Sequence, residues 1–110
     1  MTTNYKILGQ TAPTAATETL NYTVPTSTST LVRSINVTNT SSTADTYNIA
    51  LVTTAASAAT SAQFIAYNNS IPGNSTLTIK AGYTLPAAGG IRVTSTNGTS
   101  TFSTFGAEIS

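Results

Sequence analysis

The sequence predicts one all-β domain, an antiparallel β-sandwich of about eight short strands arranged as a jelly roll or in an immunoglobulin-like way. Three observations predict it. Apolar residues recur with a period of two in short runs along the whole chain, the spacing of half-buried strands. Clusters of Ser, Thr, Asn, Gly and Pro separate those runs, and these residues make turns. Finally, 110 residues is the length of one domain, so residues 1–110 close a single core.

The elements follow in order. Tyr5 to Gln10 is a short apolar run interrupted at Gly9, and Thr11 to Ala16 reads as loop, so residues 1–16 are either an N-terminal arm or an edge strand. Leu20, Tyr22 and Val24 alternate with polar neighbours and share one face of a strand that Pro25 ends. In Ser29 to Asn39, Leu31, Ile35 and Val37 lie on one parity, with Val32, Ser34, Asn36 and Thr38 on the other. Arg33 falls on the apolar parity, which suits a strand-end residue whose stem packs while its guanidinium reaches solvent, the other reading being a charge that faces a partner.

After a loop at Asn39 to Ala44, Asp45 to Thr53 places Tyr47, Ile49 and Leu51 on one side. Thr54 to Ala62 is rich in Ala but has neither a trustworthy cap nor an amphipathic period, so it reads as loop. Gln63 to Asn68 is a strand with Phe64, Ile65 and Tyr67, ended by a turn over Asn69 to Asn74 that contains Pro72 and Gly73. Ser75 to Lys80 alternates through Leu77 and Ile79, and Gly82 to Gly90 reads as loop. Ile91 to Ser95 turns Ile91 and Val93 inward, and Asn97-Gly98 is the strongest hairpin signal in the chain. In the last strand, Thr99 to Ile109, the apolar parity changes between Phe102 and the set Phe105, Ala107 and Ile109, which predicts a β-bulge beside Gly106.

Composition narrows the function. Charged residues are 6% of the chain, against roughly 25% in an average soluble protein. Ser and Thr fill about a third of it instead. The net charge of +1 comes from Lys6, Arg33, Lys80 and Arg92 against Glu18, Asp45 and Glu108, scattered along the sequence. Binding nucleic acid or an anionic membrane needs several cations on one face, so neither is an expected partner. The first ten residues lack the apolar core of a signal peptide, and no run approaches the ~20 apolar residues of a membrane span. The expectation is a soluble chain made in a cytoplasm.

Histidine and cysteine are both absent, which removes the commonest general base, the commonest metal ligand and the most reactive nucleophile. No enzyme activity, catalytic residue, metal site or cofactor is expected. Glu18, Asp45 and Glu108 fall in no glycosidase motif, and the nearness of Ser75 to Lys80 carries no information in a chain so rich in Ser. Asp45 alone does not make a calcium site. Among the tyrosines, Tyr22 and Tyr47 lie on apolar parities and belong to the core, whereas Tyr67 and Tyr83 are flanked by polar loops and are the candidates for stacking on a glycan.

The ordered series Tyr5-Lys6-Ile7-Leu8-Gly9-Gln10, Ala12-Pro13-Thr14-Ala15, Tyr22-Thr23-Val24-Pro25, Ser29 to Val37 and Phe105-Gly106-Ala107-Glu108-Ile109 resembles a family of small virion structural proteins of tailed phages, many from cyanobacterial and other aquatic hosts. The resemblance covers essentially the whole chain, and it offers no functional residues to carry over. It implies a β-sandwich on the capsid surface of the virion, synthesised in the host cytoplasm. There it would act as a decoration (cement) protein that stabilises the shell, with the major capsid protein as partner. A homo-oligomer is expected, a trimer being the natural form on threefold positions. The alternative is a tail, neck or fibre component that binds a host receptor or glycan, with Tyr67 and Tyr83 as its contacts. Whatever the particle, the opening run can add to a neighbour's sheet, which makes Tyr5, Lys6, Ile7 and Leu8 the candidate interface.

Overall fold

The computed structural model describes residues 2–80 and 82–110. Eight strands form in chain order: β1 (Thr3–Thr11), β2 (Thr19–Thr23), β3 (Ser29–Asn39), β4 (Asp45–Val52), β5 (Phe64–Ile71), β6 (Thr76–Leu85), β7 (Gly90–Ser95) and β8 (Ser100–Ile109). They make two four-stranded antiparallel sheets, in the orders β1-β8-β3-β6 and β2-β7-β4-β5. The pairs β1–β8, β2–β7, β3–β6 and β4–β5 are those of one long antiparallel ribbon, and successive pairs alternate between the two sheets. That wrapping is the jelly roll, which decides between the two sandwich types the sequence allowed.

The core lies between the sheets. Val32, Ile35, Val37 and Phe102 from the first sheet meet Tyr47, Ile49, Ile91 and Val93 from the second, all essentially without solvent contact. Tyr47 and Phe102 pack edge to face across the gap, with ring centres 6.2 Å apart.

Residues 3–11 are the edge strand of the first sheet. The alternation read from the sequence breaks at bulges in β2, β3 and β1, and the β4–β5 register shifts as well. In β2, Leu20 lies opposite Arg92 and Tyr22 opposite Ile91, so Asn21 is the extra residue and Leu20 turns outward while Tyr22 and Val24 stay buried. The carboxamide of Asn21 then reaches the first sheet, donating to Thr11 Oγ1 at 2.9 Å and accepting from the Thr104 hydroxyl at 2.9 Å. In β3 the register shifts between Val32 and Ser34 against both neighbours. Val32 is therefore the buried residue, Leu31 faces out, and Arg33 is an exposed mid-strand bulge residue, not a strand-end one.

The third bulge is in β1 at Leu8. The bulge expected in β8 beside Gly106 is thus absent from β8: the extra residues sit in its two neighbours, at Leu8 and Arg33, on either side of Phe105 and Gly106. Two strands also run longer than the sequence suggested. Residues 69–71 and 82–85, read as turn and loop, complete the edge strands β5 and β6 because they pair with β4 and β3. Polar residues are tolerated on such edges, where one side of the strand meets water. Residues 54–62 stay loop apart from a 3-10 turn at Ser61–Gln63 capped by Thr60, so β5 starts at Phe64 and not at Gln63.

Candidate functional site

Three clusters of titratable groups are consumed by the fold. Asp45 is buried where the β3–β4 loop meets the β7–β8 hairpin, and accepts hydrogen bonds from the Ser95 and Ser100 hydroxyls at 2.5 and 2.6 Å and from the Thr46 and Asn97 amides at 2.8 and 2.9 Å. Burial alone would raise its pKa, but the four donors outweigh it and hold the carboxyl below its ordinary value. Glu108 accepts from the Tyr22 phenol at 2.5 Å and pairs with Lys6 at 3.2 Å, and Thr30 Oγ1 lies 2.8 Å from the same phenol oxygen. These contacts tie β1, β2, β3 and β8 together. The Tyr22 hydrogen bond, opposed by burial and helped by Lys6, keeps Glu108 below its ordinary value. Burial, and then Glu108, push Tyr22 up to about 12.

Glu18 and Arg92 form the third cluster. They pair at 3.3 Å, Arg92 Nε and Nη2 donate to the Ala55 carbonyl, and Glu18 accepts from the Ala59 amide. The pair holds the loop after β4 against the second sheet.

The outer face of the first sheet is different in kind. Residues opposite one another in a sheet share a side, so the register defines its rows. One row runs Tyr5–Ala107–Leu31–Thr84 and the next Ile7–Phe105–Ser34–Lys80, with Arg33 bulged beside Ser34. Beyond the bulges the rows become Gln10–Ser103–Asn36–Thr78 and Thr101–Thr38–Thr76. One end of the face is therefore apolar with two cations, and the other is hydroxyl and amide throughout. Tyr5 is 71% and Ile7 52% exposed, and Arg33 and Lys80 are exposed as well. Lys6 pairs with Glu108, and Arg92 with Glu18; Arg33 and Lys80 carry no ion pair among the described residues.

Of the four interface residues read from the sequence, Tyr5 and Ile7 project from this face and Lys6 is half engaged by Glu108. Leu8 is a correction. As the extra residue of the β1 bulge it turns into the core, where it is nearly buried. Phe105, Leu31 and Lys80, which join Tyr5, Ile7 and Arg33, were missed; the signal available was that β8 carries apolar residues on both parities.

The glycan candidates do not form one platform. Tyr67 lies on β5 of the second sheet and Tyr83 on β6 of the first. Tyr67 is 61% exposed and packs edge to face with Phe64, ring centres 5.0 Å apart, beside a shallow hollow of about 380 Å³ bounded by Ser61. Tyr83 lies opposite Val32 at the sheet edge and contributes nothing to that hollow.

No protein-family model, curated protein or solved structure matches the chain.

Proposed function

We propose that this chain is a structural protein of a tailed-phage virion that decorates the outside of the capsid shell. The observation that carries the reading is the β1 side of the first sheet. Residues 3–7 are exposed, lie at a sheet edge and keep regular pairing with β8, so their outer backbone groups are open to another chain. The other three edges are less inviting: β2 is five residues long, β5 is broken by register shifts and a left-handed Asn68 at φ 51°, and β6 opposes the β3 bulge.

Two further points support it. Three of the segments that carry the resemblance to phage virion proteins, Tyr5 to Gln10, Ser29 to Val37 and Phe105 to Ile109, are neighbouring strands of this one sheet. The jelly roll is also an architecture that viral shells and lectins both use, an analogy of fold that does not by itself assign function. A protein repeated many times on a shell gains from multivalency, so each contact can be small.

Counting copies against the major capsid protein in purified particles tests the proposal. Hundreds of copies are expected, and a handful would sink it. A second reading, glycan binding by a tail or fibre module, is favoured by the exposed Tyr67–Phe64 pair. Glycan-array binding that disappears in Tyr67→Ala would support that reading instead; Tyr83→Ala should leave such binding unchanged.

A further inference from the structure

The apolar end of the first sheet's outer face couples exposed hydrophobic side chains to two cations that no described residue neutralises. We propose that this face docks a partner surface that combines apolar side chains with carboxylates, and that its occupant is not a second copy of this chain. The inference rests on the docking role proposed above and adds the chemistry of the partner.

The row Ile7–Phe105–Ser34–Lys80 crosses all four strands, apolar on β1 and β8 and ending at Lys80 on β6, with Arg33 bulged beside Ser34 on β3. Arg33 joins the cationic side only because of the bulge. Without it, the parity of Ile35 and Val37 would carry Arg33 into the core. Covering an unpaired guanidinium and ammonium with an apolar surface alone is costly, since a desolvated charge needs an opposite charge or hydrogen-bond acceptors. The occupant must therefore bring carboxylates to Arg33 and Lys80 and apolar groups to Tyr5, Ile7 and Phe105.

A second copy does not have them to bring. All three acidic residues of the chain are engaged: Asp45 within the fold, Glu18 with Arg92, and Glu108 with Tyr22 and Lys6. None lies on this face. Glu108 pairs with Thr30, on the core side of the sheet. Charge complementarity then selects a foreign surface.

The test follows amide shifts in ¹⁵N-labelled protein during titration with 4-phenylbutyrate, which joins an aromatic ring to a carboxylate, and with 4-phenylbutylamine, which carries the opposite charge. The acid is expected to shift amides around Ile7, Arg33 and Phe105. The double variant Arg33→Glu, Lys80→Glu, both exposed and so safe for folding, should weaken it at least about threefold, the scale of exposed charge pairs. An equal response to the amine, no response to either probe, or shifts gathered at Phe64 and Tyr67 would overturn the proposal. So would concentration-dependent shifts of the same face in protein alone, which would mean that a second copy covers it. The copy number in particles reads the docking role separately, so the two can fail independently.

Discussion

Gly106 and Leu31 approach so closely that a methyl group on Gly106 would meet the Leu31 carbonyl oxygen far inside van der Waals contact. The contact is backbone to backbone between the central strands β8 and β3, next to the Arg33 bulge, and neither strand has room to withdraw. Gly106→Ala should therefore destabilise the fold by about 2 kcal/mol or more, in the range of overpacked cores. Thermal unfolding followed by circular dichroism would show a midpoint lower by roughly 8 °C or more. A midpoint unchanged within the precision of the measurement would contradict the pairing of Gly106 with Val32 across β8 and β3.

The bulges also mark where the sequence stops being legible. Period-two alternation and turn residues are local signals, and they foretold the strand count, the two-sheet sandwich and most of the core. A bulge adds one residue without changing composition. Its cause is the neighbouring strand, so Arg33 on an apolar parity and the parity change around Gly106 showed that a shift exists but not which strand carries it. Leu8 was misplaced for the same reason. The docking face was half legible: Tyr5 and Ile7 stand out in the opening run, but Phe105, Leu31, Arg33 and Lys80 come beside them only through the β1–β8–β3–β6 order, which joins residues far apart in sequence.

Register makes a second prediction at adjacent residues. Val32 is fully buried and Leu31 faces out, although simple alternation from Ile35 and Val37 assigns them the other way round. Val32→Ser should cost about 3 kcal/mol, combining the lost burial of a Val side chain with an unpaired hydroxyl. Leu31→Ser should cost about 1 kcal/mol or less, as surface substitutions do. Urea unfolding of the two variants decides between the registers, and the opposite ranking would refute the bulge at Arg33.

Acid should weaken the protein through Asp45 and Glu108. Both carboxyls are held below their ordinary values in the fold, so as pH falls the unfolded chain takes up protons first. The stability they contribute is full above about pH 4, where unfolded carboxylates ionise, and is lost as pH drops through the lower folded values. Asp45→Asn removes charge from a site with four donors and should cost about 2 kcal/mol at neutral pH. It should also flatten the acid limb of a plot of urea midpoint against pH. An unchanged acid limb would assign the effect to Glu108 alone.

At the alkaline end, Tyr22 should ionise later than an ordinary phenol. Its phenol is pushed up to about 12 by burial and by its hydrogen bond to Glu108. A raised phenol value means that the unfolded chain releases its proton first, from about pH 10, so the stabilisation present below pH 10 declines as pH rises towards the folded value. Absorbance at 295 nm should show a late-ionising phenol that Tyr22→Phe removes. A late phase that persists in that variant would mean that Tyr22 is not the residue held by Glu108.

Arg92 makes the last prediction, because one guanidinium secures the loop after β4 together with the Ala55 amide, which donates to the Ala88 carbonyl. Its Nε and Nη2 both donate to the Ala55 carbonyl, its Nη1 pairs with Glu18, and Glu18 in turn accepts the Ala59 amide. The pair is only partly exposed, with side chains 16% and 26% accessible, so solvent screens it less than a surface pair. Arg92→Ala should release the loop and leave the sandwich folded, since both sheets keep their pairing. Hydrogen exchange should then accelerate at Ala59 by about tenfold, the loss expected for a hydrogen bond to a charged group, while Val93 and Ile49 in the central strands stay protected. Glu18→Gln should produce a smaller acceleration at Ala59, because the amide oxygen still accepts but the ion pair is gone. Because the loop runs into Ser61, Phe64 and Tyr67, glycan binding at that hollow, if a glycan array finds it, should weaken in Arg92→Ala, whereas phenylbutyrate shifts at Phe105 on the opposite sheet should not change.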